Sequence, residues 1–329
     1  MTMDVMTTLP RNPKAEASEL LGTGMTGYVL EPSPPTVNEE PFFADDPATP
    51  GPQGADDGTS VTPTSAGDTT WDALIASRPE LADYAADHWL GARRPLPAVP
   101  DNYPAARDGF HRLGYSVVAE ARRSSNTKFG LRYTHGGFGT PFFGADEQVR
   151  VEGARIVVQR GDTVESSPIS SISAAAAFVG VTPTTVAAES DSPELGDLDA
   201  DLGATEETGR FLGDWFGFSW AVIEELRLTE GAIDVERTQL WPGHFDAAIA
   251  MGDAEAGRRA TFGMSPGDAS HDEPYIYVAA WGDVDRSDGY WNETTFNGAS
   301  LTYSDLRGAD DEFAAALDFV RGGYERLNR

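Results

Sequence analysis

The chain has 329 residues, enough for one large or two ordinary domains with a well-buried core. It has no cysteine, which excludes disulfides, thiolate metal sites and cysteine nucleophiles. Its 53 acidic against 24 basic residues give a formal charge of -29, which excludes nucleic acid and anionic membrane surfaces as partners. Residues 1–14 contain no apolar run of signal-peptide type, and the longest such run, 174–181, is too short to cross a bilayer. The expected location is cytoplasmic.

Residues 1–69 are rich in Pro, Thr, Gly and Asp, lack helical periodicity, and are expected to be a largely disordered acidic tail. Within it, residues 27–47 hold Tyr28, Val29, Leu30, Phe42 and Phe43 and are a candidate docking arm. Order is expected from Thr70, an N-cap for a helix over 71–77, with Pro79 opening a second helical piece to about residue 90. Phe110, Leu113, Gly114, Val117, Val118 and Ala121 then form one helical stripe ending near Arg123.

From 129 to 159 the period changes to two, which predicts an antiparallel meander. Phe129, Leu131, Tyr133 and His135 share one face of its first strand, and Gly136, Gly137 and Gly139 break the strand before 140–143. A short Ala-rich helix over 169–179 is followed by an acidic linker, 181–207, with eight carboxylates and no basic residue from 189 on. A strong helix over 208–227 opens the second half, where Leu212, Trp215, Phe216, Ser219, Val222, Ile223 and Leu226 repeat the stripe. Strands are expected at 233–235, 238–251, 259–264, 275–281 and 299–303, and a closing helix at 311–328.

The fold class is therefore α+β: two similar halves, 70–180 and 208–329, each an antiparallel sheet flanked by helices. Leu113-Gly114-Tyr115-Ser116-Val117 echoes Phe216-Gly217-Phe218-Ser219-Trp220 in the corresponding helices, which suggests a duplication with a groove between the halves.

The chemistry-bearing residues concentrate between 237 and 281, which holds two of the five histidines. Read as one strand, 240–251 puts His244 and Asp246 on one face and Trp241, Phe245, Ala247, Ile249 and Met251 on the other. With His271 they make a candidate set for a divalent metal or for acid–base hydrolysis, set against a structural hydrogen-bonded pair. Ser265 in Ser265-Pro266-Gly267-Asp268 is a candidate nucleophile, although that sequence is turn chemistry first and no Gly-x-Ser-x-Gly elbow is present. Glu273 and Glu293, with Trp281 and Trp291 as platforms, could serve a glycosidase. Arg132, His135, Trp241, Asp268, Glu273 and Trp281 are the candidate ligand-binding residues.

The run 240–246, Phe262 through Asp268, and Glu273-Pro274-Tyr275-Ile276-Tyr277-Val278 together resemble a family of uncharacterised actinobacterial proteins. The likeness extends through Glu31-Pro32-Ser33-Pro34-Pro35 and Gly136-Gly137-Phe138-Gly139-Thr140-Pro141. The part from about His111 is similar, more distantly, to a bacterial domain of unknown function. That domain opens its first-half strands with Asn-His-Trp-Trp, where Asn126-Thr127-Lys128-Phe129 stand here, so that histidine's role does not carry over. The resemblance implies fold boundaries and central residues but no reaction. The reading that results is a cytoplasmic, non-catalytic small-molecule-binding or accessory protein with no required cofactor. Its rivals are a metal-dependent or acid–base hydrolase using His244, Asp246 and His271, and a protein-interaction scaffold.

Overall fold

A computed structural model of the chain describes residues 95–329, apart from 135, 142, 144–146, 161–162, 228 and 237. The expected tail, docking arm and first two helical pieces, and His135, lie outside the described residues.

Helix α1, Tyr103–Leu113, starts after Asn102 with a proline in its first turn and runs without a break into a π-helical turn, Gly114–Val118, and then α2, Ala119–Asn126. The widened turn sits where Gly114 lies against the rings of Phe245 and Phe138, a position that leaves no room for a larger side chain to spare. The helix runs past its expected end near Arg123 and stops where Thr127 adopts a left-handed conformation and returns its N–H to the Arg123 carbonyl.

Five strands follow: β1 Arg132–Thr134, β2 Gly137–Gly139, β3 Glu147–Glu152, β4 Arg155–Arg160 and β5 Thr163–Pro168. They form an antiparallel sheet in chain order. Gly137 and Gly139 do not break the strand as expected: they form β2 itself. A Cβ on Gly139 would stand 2.4 Å from the Cβ of Arg150, so this strand is glycine because its neighbour crowds it. Helix α3, Ile172–Val179, is capped by the Ser171 side chain and stopped by Gly180 in the left-handed region.

Helix α4, Glu206–Arg227, packs against β1, β2 and β3 and also against β7 and β8 of the second sheet. Its Gly209 and Gly213, one turn apart, touch backbone: a Cβ would lie 2.0 Å from the Gly153 carbonyl oxygen and 2.6 Å from the Gly137 nitrogen. The second sheet comprises β6 Gln239–Trp241, β7 Asp246–Met251, β8 Ala260–Ser265, β9 Tyr275–Ala280 and β10 Gly298–Thr302, again antiparallel and in chain order. Short helix α5, Tyr303–Arg307, and α6, Glu312–Leu327, close the chain, with α6 on β9 and β10.

The order helix, five-stranded meander, helix thus occurs twice. The two meanders meet edge to edge, where Leu131 and Leu240 exchange backbone hydrogen bonds of 2.9 and 3.0 Å. Ser116 and Ser219, the serines of the echoed pentapeptides, each donate their hydroxyl to the carbonyl four residues back, Arg112 and Trp215. Among the described residues no helix is long and apolar enough to cross a membrane.

Candidate functional site

The expected single strand over 240–251 is in fact a hairpin. Pro242 and Gly243 turn the chain, Phe245 takes a left-handed φ of 57° and returns its N–H to Trp241, and β7 starts at Asp246. Phe245 is driven into the core, where it stacks on His111 at 4.9 Å and meets Phe138 and Phe216 edge to face. His244 is thereby left at the tip, 44% exposed, and Asp246 is buried at the start of the strand.

The inner face of the second sheet, Ala247, Ile249, Met251, Phe262, Met264, Ile276 and Val278, belongs to the core. The opposite face forms a cleft of about 670 Å³. Its floor is made of small residues, among them Ala248, Ala250, Thr261 and Ala279, and aromatic side chains of Trp241, Tyr275, Tyr277, Trp281 and Phe296 rise around it. Trp281 is 53% exposed; its indole N–H is held by the Thr261 hydroxyl at 3.0 Å and its ring lies over the Arg259 guanidinium.

Gly263, mid-strand in β8, is what lets this face work. Tyr277 pairs with Gly263 across the ladder and lays its ring over it, with ring atoms 2.3–2.5 Å from where a Cβ would be. The phenol thus crosses β8 and donates to Asp246 Oδ2 on β7. Asp246 Oδ1 is buried and has no hydrogen-bond partner. Burial raises the pKa of this carboxyl, opposed by the His244 charge and by the Tyr277 hydrogen bond.

Two turns rim the cleft, and both are held by side chains of the helices α1 and α4. His111 of α1 places Nε2 3.0 Å from the Pro242 carbonyl oxygen and 2.9 Å from that of Gly243. Both partners accept, so Nε2 carries the proton; burial lowers the pKa to about 4 and the ring is neutral. The Ser265–Asp268 turn is held by Tyr103, whose hydroxyl donates to the Pro266 carbonyl at 2.7 Å, and by Trp215, whose indole N–H donates to the Ser265 carbonyl at 3.0 Å. Buried Arg107 donates to the carbonyls of His271 at 3.0 Å and Asp268 at 3.2 Å. Gly267, at φ 101°, is required where that guanidinium approaches.

The sequence-predicted residues divide. His244, Asp246, Ser265, Asp268, Trp241 and Trp281 all line the cleft. His244 pairs with Asp191 at 3.0 Å, and that hydrogen bond is the main reason its pKa is raised to about 9. His271 is not in the lining: its Nδ1 donates to Asp268 at 3.0 Å, its ring stacks on Tyr275 at 4.1 Å, and its Nε2 faces Glu293 at 3.6 Å. Asp268 accepts in addition from the Tyr275 hydroxyl at 2.6 Å. Burial opposes the ionisation of Asp268, but the hydrogen bonds from Tyr275, Ser270 and His271 outweigh it and hold the carboxyl low. Ser265 Oγ accepts the Gly267 N–H at 3.1 Å and has no hydrogen bond to either histidine; it contacts the Tyr275 phenol instead.

His244, Asp246 and His271 are not brought together into one ligand set, and among the described residues no group of three or more His, Asp and Glu side chains could hold a metal ion. Neither carboxylate proposed for a glycosidase, Glu273 or Glu293, lines the cleft. Glu293 accepts from Thr294, Thr295 and Ser300, Glu273 accepts from Ser304, and Trp291 is buried. Arg132 is buried in β1 of the other sheet and is not among the residues that line the cleft.

Sequence reasoning missed Asp191, Glu236, Tyr275, Tyr277 and Phe296 in the lining and Arg107 and His111 beneath it. One signal was available: Asp246, Ala248 and Ala250 make every second residue of β7 polar or small, which is unusual for a face meant to be packed. No family model matches the chain, and no curated protein or solved structure shows a significant match to it.

Proposed function

We propose that the protein binds a small organic molecule in the cleft on the outer face of its second sheet. The observation that carries this reading is the combination, in one concavity, of a small-residue floor, an aromatic wall and a buried carboxylate oxygen without a partner. A volume of about 670 Å³ suits a molecule of metabolite size, and a few convergent polar groups in a mostly apolar lining are what orient such a ligand. An unpartnered buried carboxylate is costly in the free protein, and a ligand that satisfies it recovers that cost on binding.

The test is a ligand-observed NMR screen of a fragment library against the wild type and an Ala279→Trp variant, whose indole would occupy the floor. Hits seen with the wild type and lost in the variant are expected. Hits retained unchanged in Ala279→Trp would place binding elsewhere and overturn the proposal.

A further inference from the structure

The polar side chains around the cleft are taken up by hydrogen-bond partners, and what is left over is specific. Asp191 is matched by His244, whose imidazole is held protonated by that contact. Glu236 forms a buried ion pair with Arg259, which also donates to the carbonyls of Asp234 and Gly252. Asp268 is taken up by His271 and Tyr275. Asp246 has one oxygen on Tyr277, and Oδ1 is the one buried carboxylate oxygen without a partner among the described residues.

Resting on the cleft reading above, we infer that the ligand is an organic cation, an apolar body carrying a protonated amine that donates to Asp246 Oδ1. An ammonium group supplies the donor that this oxygen lacks, and a charge-assisted hydrogen bond of this kind is about twice as strong as a neutral one. The faces of Trp241, Tyr275, Tyr277 and Phe296 stand around the same floor, and aromatic faces attract cations at short range. The chain's formal charge of -29 draws cations and repels anions at long range. The apolar body lies on Ala248, Ala250 and Ala279, where a polar one would lose its hydration without replacement.

The experiment uses the full chain and three probes of one skeleton: phenethylamine, phenethyl alcohol and phenylacetate. Their dissociation constants are measured by ligand-observed NMR for wild type, Asp246→Asn and Ala279→Trp, with circular dichroism confirming that each variant is folded. The amine is expected to bind at least about tenfold more tightly than the alcohol, with phenylacetate weakest. Asp246→Asn is expected to remove the preference for the amine while the alcohol is unaffected, and Ala279→Trp to remove both. Equal binding of amine and alcohol to wild type, with both lost in Ala279→Trp, would overturn the cation inference and leave the cleft reading standing. No binding of any probe at millimolar concentration, or binding indifferent to Ala279→Trp, would overturn both.

Discussion

The two meanders share strand number, strand order and direction, yet the faces opposite their apolar sides differ in character. On the first sheet, Gln148, Arg150 and Gln159 are fully buried, and Arg150 donates to both glutamine side chains at 3.2 and 3.0 Å. On the second, that face carries Ala248, Ala250, Gly263 and Ala279 and encloses a cleft. One architecture thus makes a buried, polar-locked face and a hollow one. The difference lies in side-chain volume at alternate positions, because alternation sends every second residue of a strand to the same side. The hollow face is furnished from elsewhere: α1 and α4, which open the two halves, hold its rim turns through Tyr103, Arg107, His111 and Trp215.

The largest effect is expected where the locked face is broken. Arg150→Ala removes the donor that both glutamines share and should lower stability by about 3 kcal/mol or more, read by urea denaturation. Ligand binding on the second sheet should survive in the folded fraction.

Next comes the link between α1 and the hollow face. His111 is neutral in the fold with a pKa lowered to about 4, against an ordinary value of 6.5. The unfolded chain therefore binds the proton first, so stability is retained above pH 6.5 and falls as pH drops toward 4, by roughly 3 kcal/mol in total. His111→Phe should keep the stack on Phe245 and flatten this acid limb, at the cost of a looser Pro242–Gly243 turn. An unchanged acid limb in the variant would contradict the assignment.

A smaller effect of opposite sign is expected at Asp246. Burial raises its pKa, so the charged form is disfavoured in the fold and its contribution worsens as pH rises above the unfolded value of 3.8. Asp246→Asn should therefore raise stability at pH 7 by about 1 kcal/mol while weakening ligand binding, the trade expected of a residue kept for binding rather than for folding. Loss of stability on this substitution would mark Asp246 as structural.

The smallest effect belongs to the rim. His244 and Asp191 are 44% and 53% exposed, so their pair should contribute about 1 kcal/mol or less. Its sign follows from the raised histidine and the lowered carboxylate. The contribution is complete below pH 6.5, is lost as pH rises through about 9, and is lost again in acid as Asp191 is protonated. His244→Ala should flatten the alkaline limb.

Much of this fold was legible because it is built from long periodic elements. The stripes of Phe110 to Ala121 and of Leu212 to Leu226 specify buried helices, and the Gly153-Ala154 turn between β3 and β4 falls where the alternation of Val149 and Val151 ends. What was not legible has local causes. The sequence of β5, Thr163–Pro168, is polar with no apolar alternation, because its pairing with β4 rests on backbone rather than on a buried face. The hairpin at Trp241 was masked because Leu240, Phe245 and Ala247 are all apolar, although Pro242-Gly243 between them is turn chemistry. At the site, His244, Asp246, Ser265, Asp268, Trp241 and Trp281 were found because each is an unusual residue. In sequence Asp191 is one more carboxylate of an acidic stretch, and only the fold, which brings it 3.0 Å from His244, sets it apart.

Ligand binding on the hollow face of the second sheet, as proposed above, is tested most directly by selective carbon labelling of alanine methyls followed by titration with phenethylamine. Shifts are expected at Ala248, Ala250 and Ala279, with Ala174 and Ala177 of α3 unmoved. Shifts confined to other alanines, with those three at rest under saturating probe, would contradict it.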